Sequence, residues 1–353
     1  MDFKQELKNL KGAISGELER QFSKEIAKTL KEDPIMADAL VQAKKIALSG
    51  GKRIRGALLC WAYFAVGGRE KKKILKAAAA IELVHLFLLA HDDIIDRGKS
   101  RHGQKTLNVF FADEKIAGKD AEHFGNSMAI IGGDMLYAMA NRIIAEAGFG
   151  GDIAAKVLAN LQSVVATTII GQSQDIAIAY EKNVTEEQVL SMYRNKTARY
   201  TFEGPLHMGA KLAGCNNRKV FKAFSAYAVP LGIAFQIQDD ILGVFGDAKK
   251  IGKSNASDIE EGKQSLLVVK ARERGNRRQK KILGDILGKK NIGRNEIEAF
   301  RNILKETGSL DYALETARKN FKKGRRAMEK AVILPNAKEF FFGLVDYLEK
   351  RNV

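Results

Sequence analysis

The sequence predicts an all-α fold. Apolar residues recur at spacings of three and four almost throughout, as in KKILKAAAAIELVHLFLLAHDDIID (72–96), which is the period of a helix face. Alternating, strand-like stretches are scarce. Short clusters of Gly, Asn, Ser and charged residues separate long periodic segments, so about ten or more helices are expected.

Taken in order, the opening MDFKQELKNLKGAISGELERQF is a charged amphipathic helix pattern without the apolar core of a signal peptide. SGGKR (49–53) breaks the chain before the long apolar helix of 72–96, which ends at RGKSRHGQKT (97–106). Further breaks fall at GFGGD (148–152), EKNVTEEQ (181–188), CNNR (215–218) and FGDAKKIGKSNASD (245–258). Thr185 followed three residues later by Gln188 is a capping-box pattern, so a helix should begin near Glu186. The basic runs RERGNRRQKK (272–281) and RKNFKKGRRAMEK (318–330) follow helical periodicity without interleaved aromatics and read as solvated helix faces.

With 353 residues, 45% hydrophobic and 29% charged, the chain can bury a large core. No Pro/Ser-rich linker, repeat or low-complexity tract divides it, so a single domain over 1–353 is expected. Cys60 and Cys215 lie far apart in apolar stretches without metal-binding spacing, as buried reduced thiols of a cytoplasmic protein would. No run approaches the roughly 18 uninterrupted apolar residues of a membrane span, so neither export nor an integral segment is expected. A net charge of +17, from 59 Lys+Arg against 42 Asp+Glu, suits an anionic partner: nucleic acid, anionic membrane or a phosphorylated small molecule.

Two segments demand a cation. HDDIIDR (91–97) and QDDILGVFGD (238–247) place adjacent aspartates late in apolar helices. Buried adjacent carboxylates are costly unless compensated. Asp92 and Asp96 are four residues apart, hence on one helix face and about 6 Å apart along its axis. A second helix bearing Asp239 and Asp240 can complete a site for Mg²⁺, which takes a few carboxylates together with waters and substrate phosphates. One such pair alone reads as a solvated helix end; two argue for a metal–diphosphate site.

These residues resemble the trans-isoprenyl diphosphate synthases, the polyprenyl synthetase family. DDIID and QDDILGVFGD are similar to its two aspartate-rich motifs, and GGKRIRGALL (50–59) to its Gly-Lys-Arg segment. ELVHLFLLAHDD, GGDMLYAMA, GQSQDI, NKTARYTFEGPL and GKSNASDIEEGKQSL follow in family order, over about residues 45–270. The resemblance implies antiparallel helices around a deep central cavity, a homodimer, and condensation of isopentenyl diphosphate with an allylic diphosphate. It assigns Asp92, Asp96 and Asp239 to Mg²⁺, three ions per site with substrate bound, with Asp93 and Asp240 in support. Arg101, Lys196 and Lys253 contact the allylic diphosphate with Lys263 nearby; Lys52, Arg55 and His85 bind isopentenyl diphosphate; Thr197 and Gln236 line the reaction centre. Taken singly, Lys52, Arg53 and Arg55 also read as a surface helix start, His85 as a core histidine, Lys253 as a loop charge, and the glycines of GGD (132–134) as helix packing.

Three positions depart from the family pattern. Gly243 stands where many members have a third aspartate, with Asp247 four residues on; Gly56 replaces a proline; and His102 replaces a second arginine. His102 as a ligand of isopentenyl diphosphate should make its binding pH-dependent between about 6 and 7.5, the unperturbed histidine range. Four and five residues before Asp92 stand Leu88 and Phe87, with Val84 two turns below it. In the family such positions set chain length, and one aromatic with one aliphatic implies a geranylgeranyl product. The alternatives are a farnesyl or longer-chain synthase, a class I terpene cyclase, and an inactive partner subunit. No nucleic acid partner is expected; peripheral membrane contact for product release is compatible.

Overall fold

Helices make up nearly all of the structure, a computed structural model that describes residues 2–115, 118, 120–246 and 256–350. Lys253 and Asp247 lie outside the described residues. The chain divides into two compact units, one comprising Met1–Ala159 and Met208–Cys215, the other Asn160–His207 and Asn216–Val353.

The first unit opens with α1 (Phe3–Thr29) and α2 (Pro34–Ser49), whose first turns are capped by the Asp2 and Asp33 carboxylates. α3 (Ile54–Ala65) and α4 (Lys71–Ile95) follow. α4 is apolar nearly all round, the pattern of a buried helix. It packs against α1, α3 and the later α6 (Ala121–Ala145), with Ala77, Ala78, Ala79 and Ala80 fully buried where small side chains permit close approach. Between α4 and α5 (Leu107–Glu114) the segment read as a loop closes into a hairpin, β1 (Ser100–Arg101) against β2 (Gln104–Lys105). Its tip residues, His102 and Gly103, have φ of 52° and 77°, as a two-residue type I′ turn requires, and histidine is among the side chains that tolerate that region. Two-residue strands are too short to leave a periodic signal.

α7 (Gly151–Ala179) runs from the first unit into the second. In the second, α8 (Glu186–Met192) starts where the sequence predicts, with the Thr185–Gln188 capping box formed. The helix then widens into a π-helix over Tyr193–Glu203 before α9 (Gly204–Leu212). α-Helical geometry was expected through Lys196 and Thr197; π-turns are rare and concentrate at functional sites. α10 (Arg218–Phe245) packs on this π-helix, and both of its neighbours approach it closely. A Cβ on Gly171 of α7 would stand 2.2 Å from the Lys196 nitrogen, and one on Gly232 of α10 would stand 2.3 Å from the Ala198 Cα. The remaining helices are α11 (Ser257–Glu260), α12 (Leu266–Arg274), α13 (Arg277–Ile286), α14 (Arg294–Glu306), α15 (Ser309–Glu329) and α16 (Pro335–Glu349). α15 packs along α10, and Tyr227 of α10 donates to the Phe341 carbonyl of α16 at 2.8 Å.

α4, α7 and α10 reach the length and mean apolarity of a membrane span, although no uninterrupted apolar run does. Averaging tolerates the few polar positions that interrupt each run. For α4, 67% of the apolar window is buried in protein, against 33% for α7. Cys60 is buried in α3 as expected; Cys215 is instead half-buried, in the turn after α9.

Candidate active site

In the first unit, α4 delivers Asp92, Asp93 and Asp96 at its C-terminal end, where Asp96 caps the helix and donates its amide to the Asp92 carbonyl at 2.8 Å. Carboxylates there face the negative end of the helix dipole, which adds to the demand for a cation. Asp93, 5% exposed, is occupied: Arg101 grips it through Nη2–Oδ1 at 2.5 Å and Nε–Oδ2 at 3.2 Å. That fork ties the β-hairpin to α4 and leaves Asp92 and Asp96 half-buried on the same helix face. Burial works against the Arg101 charge, but Asp93, then Asp92 and Asp96, outweigh it and hold its pKa above the usual arginine value.

Around the hairpin lies a cationic corner. His85, seven residues before Asp92 on α4, is pushed well below the ordinary histidine range by burial and then by Arg55, Arg101, Arg53 and His102. His102 is pushed down by burial and by Arg101, Arg53 and Lys11, partly offset by Asp93. Its titration is therefore shifted to lower pH than that of an ordinary histidine. The His102 ring occupies the space a side chain at Gly50 would need: a Cβ there would stand 2.3 Å from the ring Cγ. Lys52 is exposed on the loop between α2 and α3. Arg53 is not the surface residue of a helix start. It is 8% exposed, in a left-handed conformation with φ 54°, with Nη1 3.5 Å from Glu82 Oε2 and Nε 3.3 Å from Ser15 Oγ. Its other guanidinium nitrogen donates to the Ala47 carbonyl, and Glu82 also accepts the Gly56 amide at 3.0 Å. Arg53 thus locks the segment between Lys52 and Arg55 onto α1, α2 and α4.

Below Asp92 on α4, Phe87 is 8% exposed and Val84 fully buried, while Leu88 is half-buried. The Phe87 ring lies 4.8 Å from Tyr137 of α6 at 30° and 4.9 Å, edge-on, from His91. The glycines at 132 and 133 serve helix packing, as expected: a Cβ on Gly133 would stand 2.7 Å from the His91 ring.

In the second unit, α10 and the π-helix share a chain of hydrogen bonds. Thr197 Oγ1 donates to Gln236 Oε1 at 2.6 Å, Gln236 Nε2 donates to Asp240 Oδ1 at 3.0 Å, and Tyr193 Oη donates to the other Asp240 oxygen. Tyr193 Oη also accepts the Leu266 amide at 3.0 Å, capping α12. Burial pushes the Asp240 carboxyl up to about 7, against the lowering bonds of Tyr193 and Gln236; Asp258 raises it further and Lys263 opposes. Burial and then Asp240 hold the Tyr193 phenol well above its usual value. Lys196 Nζ lies 2.5 Å from Asp175 of α7, and Lys263 lies 2.9 Å from both Asp258 and Glu261. Asp239 stands half-buried beside Asp240.

Gly243 faces Asp258. A Cβ at 243 would stand 1.9 Å from Asp258 Oδ2, the tip of a side chain that would have to turn aside, and Asp258 lies close enough to Asp240 to raise it. Asp175, Tyr193 and Asp258 make contacts that the sequence left unassigned. Asp175 and Asp258 lie in segments that carry a signal, GQSQDI and GKSNASDIEEGKQSL; Tyr193 had none, since its bond to Asp240 spans 47 residues.

The donor set is hard oxygen throughout, without thiolate, which fits Mg²⁺. Among the described residues no group of three or more His, Cys, Asp or Glu side chains forms a cage. Mg²⁺ held largely by substrate phosphates and waters needs none.

Known proteins share this arrangement. A family profile described as polyprenyl synthetase matches residues 38–304. A geranylgeranyl diphosphate synthase of Saccharolobus solfataricus is 36% identical over 276 residues, 77% of each chain. A short chain isoprenyl diphosphate synthase of Methanocaldococcus jannaschii is 36% identical over 277 residues, 78% of this chain and 79% of that one. The crystal structure of a geranylgeranyl pyrophosphate synthase from Corynebacterium glutamicum, complexed with isoprenyl diphosphate and magnesium, superposes with a TM-score of 0.89 at 27% identity, over 100% of both chains. With three quarters of its length matched and its two aspartate-rich helix ends in place, this chain belongs to the polyprenyl synthetase family of prenyltransferases.

Proposed function

We propose that the protein is a short-chain trans-prenyltransferase, joining isopentenyl diphosphate to allylic diphosphates with geranylgeranyl diphosphate as its main product. The observation that carries this reading is that Arg53, Arg55 and Arg101 converge on His85, on the helix that carries Asp92 and Asp96. A terpene cyclase, which takes one diphosphate, has no use for a second anion site, and an inactive subunit has no reason to keep both aspartate pairs.

By the family pattern, Asp92, Asp96 and Asp239 would hold Mg²⁺, three ions with substrate bound; Mg²⁺ supplies charge that stabilises the departing diphosphate. Lys196, oriented by Asp175, and Arg101, oriented by Asp93, neutralise the same group as the allylic carbon–oxygen bond breaks. Lys52 and Arg55 hold isopentenyl diphosphate, with His85 neutral among them. The double bond of isopentenyl diphosphate attacks the allylic cation, forming a carbon–carbon bond. The released diphosphate takes the proton then lost, so no protein nucleophile is needed. Thr197 and Gln236, held by their mutual bond, line the reaction centre. Lys253, outside the described residues, keeps the diphosphate contact that the resemblance implies. Phe87, backed by Tyr137, forms the floor that stops the growing chain.

We place the enzyme in the cytoplasm, where its two free thiols stay reduced, and as a homodimer. Each unit leaves an apolar helix face exposed. On α6 the first carries Ile130 and Ile131, 46% and 49% exposed; along α7 the second carries Ile169, Ile170 and Ile176, 55%, 55% and 41% exposed. Sedimentation of Ile131→Arg and Ile170→Arg variants tests that assembly. For the reaction, labelled isopentenyl diphosphate is incubated with dimethylallyl, geranyl or farnesyl diphosphate and Mg²⁺, and the products are sized. Twenty-carbon products are expected. Cyclised hydrocarbon formed without isopentenyl diphosphate, or no incorporation, refutes the reading.

A further inference from the structure

The basic run on α15 lies beyond the residues, 38–304, that match the family. Arg318, Lys319, Lys322, Lys323, Arg326 and Lys330 are all exposed there, with Glu329 exposed among them and Asp311 and Glu315 exposed on the same face nearer the helix start. At 100° per residue the six cations fall within an arc of roughly 140°. That arc is opposite the buried Ala313, Ala317, Phe321, Gly324 and Met328, which pack into the second unit. Lys319 is partly offset by Glu315 at 2.7 Å. Two and four residues past Lys330, Val332 and Leu334 are 76% and 47% exposed. A single exposed aliphatic needs no explanation. Two at the end of a basic helix face match an interfacial segment, in which cations meet anionic headgroups and a few apolar side chains enter the headgroup layer.

We propose that the exposed face of α15, with Val332 and Leu334, docks the enzyme on an anionic lipid surface. Nucleic acid fits the patch less well. The stripe has no aromatic platform for bases, and the neighbouring Phe342 is covered by Arg325, 5.2 Å from its ring and 2.5 Å from Asp346. The inference does not depend on the proposed reaction, and its test contains no substrate.

The full-length protein is mixed with phosphatidylcholine vesicles, with and without phosphatidylglycerol, and bound protein is measured by flotation at low and high salt. Binding to the anionic vesicles alone, weakening with salt, is expected. Lys322→Gln/Lys323→Gln/Arg326→Gln should weaken it roughly 100-fold, about fivefold for each cation near the surface. Val332→Ser/Leu334→Ser should weaken it about tenfold and remove what persists at high salt. Lys4→Gln/Lys8→Gln/Lys11→Gln on α1 lowers the net charge equally and should leave binding within about twofold, the residual effect of overall charge alone. Unchanged thermal melts establish that the variants are folded. No binding to anionic vesicles, equal binding to neutral ones, or equal loss in the α1 variant overturns the proposal. So does duplex RNA competing off the vesicles through the same α15 residues.

Discussion

Tyr193→Phe removes one hydroxyl and two hydrogen bonds while the ring keeps its packing. The Leu266 amide at the start of α12 loses its 3.0 Å acceptor, and Asp240 loses a donor. A buried amide left without a partner costs about 1–3 kcal/mol, and a hydrogen bond to a charged group contributes about 1.5–3 kcal/mol. The variant should therefore be destabilised by roughly 3–5 kcal/mol, or about 4–7 °C in melting temperature for a chain of this size. The pH dependence shifts as well. Burial raises Asp240 to about 7 in the folded chain, well above its unfolded value. Stability from its neutral form is full below about pH 4, the unfolded value, and is lost as pH rises through about 7. The Tyr193 bond lowers that pKa, so in Tyr193→Phe the loss moves to higher pH, and in Asp240→Asn it disappears. Thermal melts of the parent and both variants in chelator, from about pH 4 to 8.5, measure that shift. Melts coinciding with those of the parent at every pH would refute the role given to Tyr193.

Asp92→Ala or Asp239→Ala should lower kcat by several orders of magnitude with folding intact, because each removes a ligand that acts on the ionisation step; unchanged turnover rules out the metal assignment. Phe87→Ala should shift the products to twenty-five carbons and beyond. It should also cost about 3–5 kcal/mol, as a buried phenylalanine removed from an aromatic pair does; an unchanged profile in folded enzyme sinks the floor. With burial and Arg101 lowering the His102 pKa, KM for isopentenyl diphosphate should fall as the ring becomes protonated, at lower pH than an ordinary histidine would give, since the bound diphosphate favours the protonated ring. His102→Arg should lower that KM and flatten its pH profile. Identical profiles would mean that the ring does not touch the substrate.

Much of this was legible in the residues because the signals are local. The Thr185 capping box, the i, i+4 spacing of Asp92 and Asp96 and the all-round apolarity of α4 lie within single helices, and each stands where the periodicity puts it. What was not legible depends on long-range geometry. Arg53 reads as one more cation in GGKRIR until Glu82, twenty-nine residues away, takes it into the interior. The π-helix at Tyr193–Glu203 has no sequence period to betray it; what surrounds it is the close approach of Gly171 and Gly232 from α7 and α10.

Gly243 and Asp258 bear on how a substitution far from the reacting carbon would be felt. A Cβ at 243 would stand 1.9 Å from Asp258 Oδ2, the tip of a side chain whose Cβ is 3.8 Å away. The carboxylate, not the backbone of α10, is what must give, and its other oxygen is the one that holds Lys263 at 2.9 Å. A side chain at 243 is therefore transmitted by rotation of one acid to one lysine, and the empty volume at Gly243 is what lets that ion pair keep its present orientation.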